Sequence, residues 1–377
     1  MGRRKEPAGA AVELWDAADA DRAARTLALC PHVARLRVLV HAGVPTARVL
    51  AALPRGLTHL DLSDSALDDG AALAARIAGS ALEDLDLSHV ACTDFGPVLD
   101  ALGAAPALRS LRLEGLGLCA AGRARFAAAL AASPRLDDLR LGGAAVPAAA
   151  LAARPWRRLG LYDMAAPPVA LAHVRCLEFG GMDAAAVAAL AAALPALRPA
   201  RLVLADLPLD PALADTLRGA IAAAGVAELR LDRVPCAEML VLAVLCGAAV
   251  RRLELNCALS PATFIDLARH DLDALALEDA WTPWAADDVA RLTDAVADST
   301  LAGLDVRGAV LAPPQWARFL RGVRASAVTH LIAAVRADAG PPVVAVTRRV
   351  LGGRAVAVDL TVRMPYLASR TYHINTV

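Results

Sequence analysis

The chain has 377 residues, of which 57% are hydrophobic but only 3% aromatic, and alanine accounts for much of the difference. Its 39 basic and 39 acidic residues give a formal net charge of zero, which argues against nucleic acid and anionic membranes as partners because both are bound through an excess of Lys and Arg. No apolar stretch reaches the about 20 residues of a transmembrane helix, so we expect no membrane anchor.

The first predicted element is a helix over residues 12–29, which ends before Pro31. A proline disfavours helical backbone at the residue before it and so favours a helix end there. We expect Trp15 to be buried on the inner side of this helix. Residues 1–32 are therefore predicted to form an N-terminal tail and a capping helix.

A leucine pattern of the form LxxLxL then recurs along the chain, most clearly at residues 57–62, 82–87, 108–113 and 136–141. The central leucines of thirteen strict, looser or degenerate copies, called anchor leucines below, are Leu36, Leu60, Leu85, Leu111, Leu139, Leu159, Leu177, Leu202, Leu229, Leu253, Leu275, Leu304 and Leu331. Successive anchor leucines are 18 to 29 residues apart. Alternating leucines predict a short strand with one buried face, and neighbouring copies must stack to bury it.

Alanine-rich stretches with helical spacing lie between these strands. The predicted helices cover residues 70–78, 123–132, 184–194, 211–223, 263–269, 287–296 and 315–323. Asp183, Asp210 and Ser260 are predicted helix N-caps, and Pro211 and Pro261 occupy favoured first-turn positions. Each repeat is thus one strand, one turn and one helix, which predicts an α/β fold.

This pattern resembles the ribonuclease-inhibitor-like class of leucine-rich-repeat proteins over roughly residues 33–335. The resemblance implies a solenoid of about thirteen repeats over residues 33–337, with a curved parallel sheet inside and helices outside. Repeats of that class commonly place Asn or Cys five residues after the anchor leucine, but this chain has residues such as Ser65, Val90 and Leu116 there. The loop backbone therefore needs other hydrogen-bonding partners.

The repeats before Leu159 and Leu177 are only 20 and 18 residues long and are rich in proline. Because proline disfavours a continuing helix, we expect short or absent helices there. Such a thin section could be a hinge or a recess for a partner, or a harmless degeneration of the repeat. At the other end, residues 338–377 are predicted to form a β-hairpin, with strands over 343–350 and 354–362, followed by a loose tail.

No sequence motif for a phosphate loop, a dinucleotide-binding turn, a zinc protease or a serine hydrolase occurs in the chain. The eight histidines show no metal-ligand spacing. We therefore expect no enzymatic activity, no cofactor and no metal. The seven cysteines are odd in number and form no CxxC pair, which favours reduced thiols and a cytoplasmic location, with the nucleus as the alternative.

Residues on either side of each anchor leucine are predicted to face outward from the strands. Opposite charges there predict the lateral pairs Arg201–Glu228, Glu228–Arg252 and Arg230–Glu254. In the early repeats, Asp61, Asp84 and Asp86 form an acidic patch for which we expect no compensating partner within the patch, flanked by Arg35, Arg37 and Arg112. This patch is a candidate surface for a basic ligand, or alternatively a solvated stripe.

Trp281 and Trp284 lie in a predicted loop beside Ala274 and Ala276, where they could anchor a partner, because tryptophan is favoured at the centre of protein interfaces. Packing against the following helix is the alternative. Trp156 and Trp316 are predicted to be buried.

The leading functional hypothesis is a monomeric, non-catalytic scaffold that binds a partner protein through the strand face or adjacent loops. One alternative is a substrate-recognition adaptor of a ubiquitin ligase, of the F-box and leucine-rich-repeat type. Another is a GTPase-activating protein. Fold resemblance alone cannot choose among them.

Overall fold

The computed structural model describes residues 10–143, 148–163, 171, 173–234, 249–257, 259–278, 284–336, 340–363 and 370–376. The chain divides into two compact units, residues 1–179 and residues 180–377. Each unit has a mostly parallel β-sheet with helices between successive strands, so the chain has the predicted α/β class. No described helix is both long and apolar enough to cross a membrane.

The first unit has a sheet in the order β1-β2-β3-β5-β7-β8-β9-β10, and β4 pairs separately with β6. Its strands are β1 (Ala10–Leu14), β2 (Arg35–Val40), β3 (His59–Asp61), β4 (Ala66–Leu67), β5 (Asp84–Asp86), β6 (Ala91–Cys92), β7 (Ser110–Leu113), β8 (Asp138–Gly142), β9 (Trp156–Tyr162) and β10 (Val174–Gly180). Its helices are α1 (Ala17–Ala28), α2 (Ala47–Ala51), α3 (Gly70–Ile77), α4 (Gly96–Gly103), α5 (Ala120–Ala132) and α6 (Ala148–Ala152).

The second unit has the sheet order β11 to β18, with β18 antiparallel to β17 and the earlier pairs parallel. Its strands are β11 (Arg201–Ala205), β12 (Glu228–Asp232), β13 (Arg252–Asn256), β14 (Ala274–Leu277), β15 (Gly303–Leu311), β16 (His330–Arg336), β17 (Val356–Arg363) and β18 (Arg370–Thr376). Its helices are α7 (Ala184–Leu197), α8 (Pro211–Ala224), α9 (Pro261–Ala268), α10 (Ala286–Ala297), α11 (Pro313–Ala325) and α12 (Gly340–Leu351).

The anchor leucines align on neighbouring parallel strands within each unit. Leu60 is the Cα partner of Leu85, and Leu85 is the partner of Leu111; all three are at most 1% exposed. In the second unit Leu229 pairs with Leu253 in the same way. Burial of one leucine side chain contributes about 1.5–3 kcal/mol, so a slip of one residue would expose an entire row of leucines.

The predicted helix caps are confirmed. Asp183, Asp210 and Ser260 each accept a hydrogen bond from the backbone N–H three residues later, at 2.8–3.2 Å. Pro211 and Pro261 lie in the first turns of α8 and α9. These caps fix where each helix begins after its strand.

In most of the loops after the strands, a backbone hydrogen bond takes the place of the bond that the Asn or Cys side chain would make five residues after the anchor leucine. The residue four positions after the anchor leucine repeatedly has a left-handed backbone, at Asp64, His89, Gly115, Gly143, Asp163, Gly181, Asp206 and Arg233. The N–H of such a residue donates to a carbonyl of the next repeat, as from His89 to Glu114 at 2.6 Å and from Gly115 to Gly142 at 3.2 Å. The loops are therefore held by backbone geometry.

Ser65 is one of the polar residues at the fifth position after an anchor leucine. Its buried hydroxyl donates to the Val38 carbonyl at 3.0 Å and accepts from the Val40 N–H at 3.1 Å. This repeat thus retains a side-chain bond from its loop to the neighbouring strand β2.

The N-terminal helix prediction is partly wrong. Residues 10–14 form β1, parallel to β2, and the helix begins only after Asp16, whose side chain caps it. Leu14 is buried at the end of β1, but Trp15 is 63% exposed and stacks on His41 with ring centroids 3.7 Å apart. The apolar residues of this segment therefore alternate as in a strand rather than line one helix face.

The C-terminal hairpin is also placed differently from the prediction. Residues 343–350 belong to α12, in which Val343, Thr347 and Leu351 are buried at helical spacing. Packing of this face outweighs the β preference of its valines, as tertiary contacts often outweigh local propensity. The strand β17 extends the parallel sheet, and its antiparallel partner is β18.

In the repeat before Leu159 the described helix α6 covers five residues, in agreement with the predicted short helix; residues 144–147 before it lie outside the described part of the chain. Most of the segment between β9 and β10, in the repeat before Leu177, also lies outside the described residues. Trp156 and Trp316 are buried, as predicted.

We predict that Gly143→Ala lowers the free energy of unfolding by about 1 kcal/mol, because its φ of +67° is costly for a residue with a side chain. The nearest atom to the added Cβ is 4.0 Å away, so backbone strain alone is tested. Gly122→Ala, in the first turn of α5 with an ordinary φ, is the matched control and should be neutral or stabilising. Chemical denaturation compares the two; equal destabilisation would contradict the left-handed loop geometry.

Candidate functional site

The predicted acidic residues meet in a shallow depression on the strand face of the first unit. Its volume is about 230 Å³, and its outward lining side chains are Ala10, Arg35, Arg37, His59, Asp61, Asp84, Asp86 and Arg112. Parallel strands about 4.8 Å apart bring residues from five consecutive strands to this place. Asp61, Asp84, Asp86 and Arg112 thus belong to one surface, called the acidic depression below.

The expectation that these acids have no compensating partner is wrong for two of them. Asp61 lies 3.4 Å from Arg37, and Asp86 lies 3.1 Å from Arg112. Each arginine is the direct Cα partner of its aspartate on the adjacent strand. The long arginine side chain therefore reaches across one strand spacing and neutralises the carboxylate.

These two aspartates also hold the loops that follow them. Asp61 accepts hydrogen bonds from the N–H and the hydroxyl of Ser63 at 2.9 and 2.6 Å. Asp86 accepts one from the N–H of Ser88 at 3.0 Å. Both carboxylates consequently have structural roles that do not depend on a binding partner.

Asp84 differs from its neighbours. Its Cα partners are His59 and Ser110, neither of which is a fixed cation. The half-buried carboxylate makes no ion pair with any described residue. Burial alone would lower the pKa of Arg112, but the fields of Asp84 and Asp86 raise it. Asp84 therefore acts on Arg112 through its field, and of the three carboxylates it is the one that forms no ion pair with a described residue.

A second charge cluster, which the sequence did not predict, surrounds Glu178 in the first unit. This carboxylate is 5% exposed and lies 3.0 Å from Arg140 and 3.2 Å from Arg158. The hydroxyl of Tyr162 donates to it at 3.1 Å. Burial and the nearby carboxylate raise the pKa of this phenol, so it remains a hydrogen-bond donor. Two arginines and a hydroxyl thus compensate the buried carboxylate, and the cluster is structural in character.

Glu114 follows β7 and lies between the acidic depression and this cluster. Burial raises the pKa of its carboxyl, and the field of Arg140 offsets only part of that effect. Asp86 adds a further increase because it is a like charge. The ionised carboxylate of Glu114 is therefore held at a cost in stability.

The predicted ladder of charges in the second unit is confirmed. Arg201–Glu228, Glu228–Arg252 and Arg230–Glu254 are separated by 3.6, 3.8 and 3.2 Å. Such partly exposed pairs contribute about 0–1 kcal/mol each. Opposite charges thus compensate one another along this strand face.

Neither of the two predicted loop tryptophans is seen as an exposed anchor among the described residues. Trp281 lies outside the described residues. Trp284 is 6% exposed and meets Phe264 edge to face, with ring centroids 5.7 Å apart. Its indole is packed inside the unit, but the ring that it contacts belongs to the preceding helix α9 and not to the following helix of the alternative interpretation.

In the part of the chain that the structure describes, no group of three or more His, Cys, Asp or Glu side chains is arranged to hold a metal ion. The described cysteines are not joined to one another in disulfides: Cys30, Cys92, Cys119, Cys176 and Cys257. No protein-family model matches the chain, and no curated protein matches it significantly. The resemblance to ribonuclease-inhibitor-like proteins accordingly rests on the leucine spacing.

We predict that Glu114→Gln makes the protein more stable at pH 7, because the amide removes a desolvated charge. The pKa of this carboxyl is higher in the folded than in the unfolded protein. Its contribution to stability is therefore fully present below the unfolded-state pKa, where the group is protonated in both states, and is lost as pH rises through the folded-state pKa. The difference between variant and wild type should therefore vanish below about pH 4. Denaturant titrations between pH 3.5 and 7 measure it.

Asp68→Asn is the control of opposite sign. Burial would raise the pKa of Asp68, but hydrogen bonds from the hydroxyl and the N–H of Thr46 lower it. This carboxylate stabilises the fold above its unfolded pKa and loses the effect as pH falls, so the variant should be less stable at pH 7. The same pH trend in both variants would contradict the assigned electrostatics.

Proposed function

We propose that the protein is a leucine-rich-repeat solenoid of about thirteen repeats that binds another protein and performs no catalysis. In this proposal, β1 and α1 cover one end of the repeats, while β17 and β18 cover the other. The binding surface is the acidic depression of the first unit. Its occupant is a lysine or arginine side chain of a partner protein.

The half-buried carboxylate of Asp84 is the observation that carries this proposal. Asp61 and Asp86 have arginine partners, whereas Asp84 makes no ion pair with a described residue. A partner's cation placed there would meet a half-buried carboxylate, and charge pairs strengthen as the partner's own surface excludes water. The opposite face of each strand carries buried leucine, so only the outward face is open to a ligand.

The ubiquitin-ligase adaptor and the GTPase-activating protein stay as alternative predictions. An assay of binding to a ligase adaptor tests the first, and an assay of GTP hydrolysis tests the second. No feature of the described residues favours either one over a simple scaffold.

We predict that Asp84→Lys reduces capture of the partner about tenfold, equivalent to about 1.4 kcal/mol. Reversal places a cation where the partner's cation would bind. The fold should be retained, because the side chain is half-buried and forms no ion pair with a described residue; the reversal does replace the favourable field of Asp84 on Arg112 by a like charge. Co-purification with quantitative mass spectrometry compares the proteins bound to wild type and variant, and thermal unfolding checks the fold.

Asp294→Lys provides the control charge reversal on α10 of the second unit, where the aspartate is exposed and forms no ion pair with a described residue. It should leave the captured proteins unchanged. If Asp84→Lys retains the same partners in the same amounts, the acidic depression is not the binding surface. Asp86→Lys is a poorer test, because it also removes the bonds to Ser88 and Arg112.

A further inference from the structure

A separate recess lies on the helix side of the first unit, between the end of α5 and the short helix α6. Its volume is about 800 Å³. Polar lining residues are Arg109, Arg135, Arg154 and Asp137, and the apolar wall includes Leu130 and Ala150. The size falls in the range of about 300–1,000 Å³ that is typical of ligand sites.

The shortened repeat explains the space. The anchor leucines Leu139 and Leu159 are only 20 residues apart, and α6 has five residues where α5 has thirteen. Small alanine side chains from both helices line the recess. The recess thus lies in the section where the sequence suggested either a binding site or a degenerate repeat.

Arg154 forms part of the wall and is already fully occupied. Its guanidinium donates to the carbonyls of Leu130 and Ser133 at 3.0 and 2.7 Å, and to that of Leu136. Burial lowers the pKa of this group, although Asp137 acts in the opposite direction. Arg154 therefore neutralises the carbonyl end of α5, which would otherwise repel an anion.

Two further arginines remain available at the recess. Arg109 and Arg135 are exposed, and neither makes an ion pair with a residue that the structure describes. The carboxylate in the lining, Asp137, lies 3.3 Å from Arg157. The recess consequently presents two uncompensated guanidinium groups beside an apolar wall.

We propose that this recess binds an acidic segment of a partner protein, and that a phosphorylated serine or threonine is its strongest ligand. Guanidinium groups bind phosphate and carboxylate oxygens through paired, directional hydrogen bonds. The alanine and proline wall suits the aliphatic part of a peptide. This site does not depend on the acidic depression, which lies on the strand face of the same unit.

A nucleotide or RNA ligand fits the same recess less well. Recognition of bases commonly uses exposed aromatic rings, and none of the described lining residues is aromatic. The indole of Trp156 is 2% exposed, and the guanidinium of Arg154 lies over it, 4.9 Å from the ring centre. That ring is not available for stacking.

The test uses the full chain and a fluorescein-labelled peptide of twelve residues, with a central phosphoserine flanked by glutamates. Fluorescence anisotropy measures binding at 50 and 200 mM salt. We expect saturable binding that weakens with salt, and weaker binding of the peptide with unmodified serine. The double variant Arg109→Gln/Arg135→Gln should reduce the affinity at least tenfold, because both side chains are exposed and their loss leaves the fold intact.

The matched control is Arg291→Gln/Arg321→Gln, which removes two exposed arginines from α10 and α11 and should bind like wild type. In the wild-type protein, the phosphopeptide should also protect Arg109 and Arg135 from an arginine-specific reagent, as read by peptide mass spectrometry. Absence of saturable binding, equal loss in both double variants, or absence of protection would overturn the proposal. So would tighter binding of an unstructured RNA oligonucleotide that depends on the same two arginines.

Discussion

Burial of one leucine row between parallel strands fixes the register on which every other feature depends. When Leu60, Leu85 and Leu111 lie side by side, the residues before and after them must point outward in matching rows. The left-handed residues that follow, such as Gly115, turn their N–H groups toward the next repeat. Each loop is therefore placed by its own strand and tied to its neighbour. This bond needs no particular side chain. The repeats can therefore do without an Asn or Cys five residues after the anchor leucine.

The same register determines which charges meet. Arginines one strand away form ion pairs with Asp61 and Asp86, whereas Asp84 has His59 and Ser110 as Cα partners and acts on Arg112 through its field. On the helix side, repeat length has the corresponding role, because a short repeat removes helix turns and leaves a recess. The first unit thus combines an acidic depression on its strand face with a basic recess on its helix side. Two ligands of opposite charge would be recognised by different faces of one unit.

Features encoded within a repeat could be predicted from the sequence, because leucine spacing, helix periodicity and capping residues act locally. The caps at Asp183 and Asp210 are confirmed for this reason. Features that depend on neighbouring repeats could not be predicted so well. The acidic residues were identified, but their arginine partners require knowledge of side-chain reach between strands. The environment of Glu178 is built by three strands. Likewise, the β-rich segment 343–350 is helical because of the surface against which it packs.

Cysteine cross-linking across β3 and β5 tests the strand register most directly. His59 and Asp84 are Cα partners, and neighbouring strands place such residues about 4.8 Å apart, within the range of a disulfide. We predict that His59→Cys/Asp84→Cys cross-links efficiently under mild oxidation, as shown by peptide mass spectrometry. The out-of-register pair His59→Cys/Asp86→Cys should cross-link poorly. Preferential cross-linking of the second pair in the folded protein would contradict the leucine alignment.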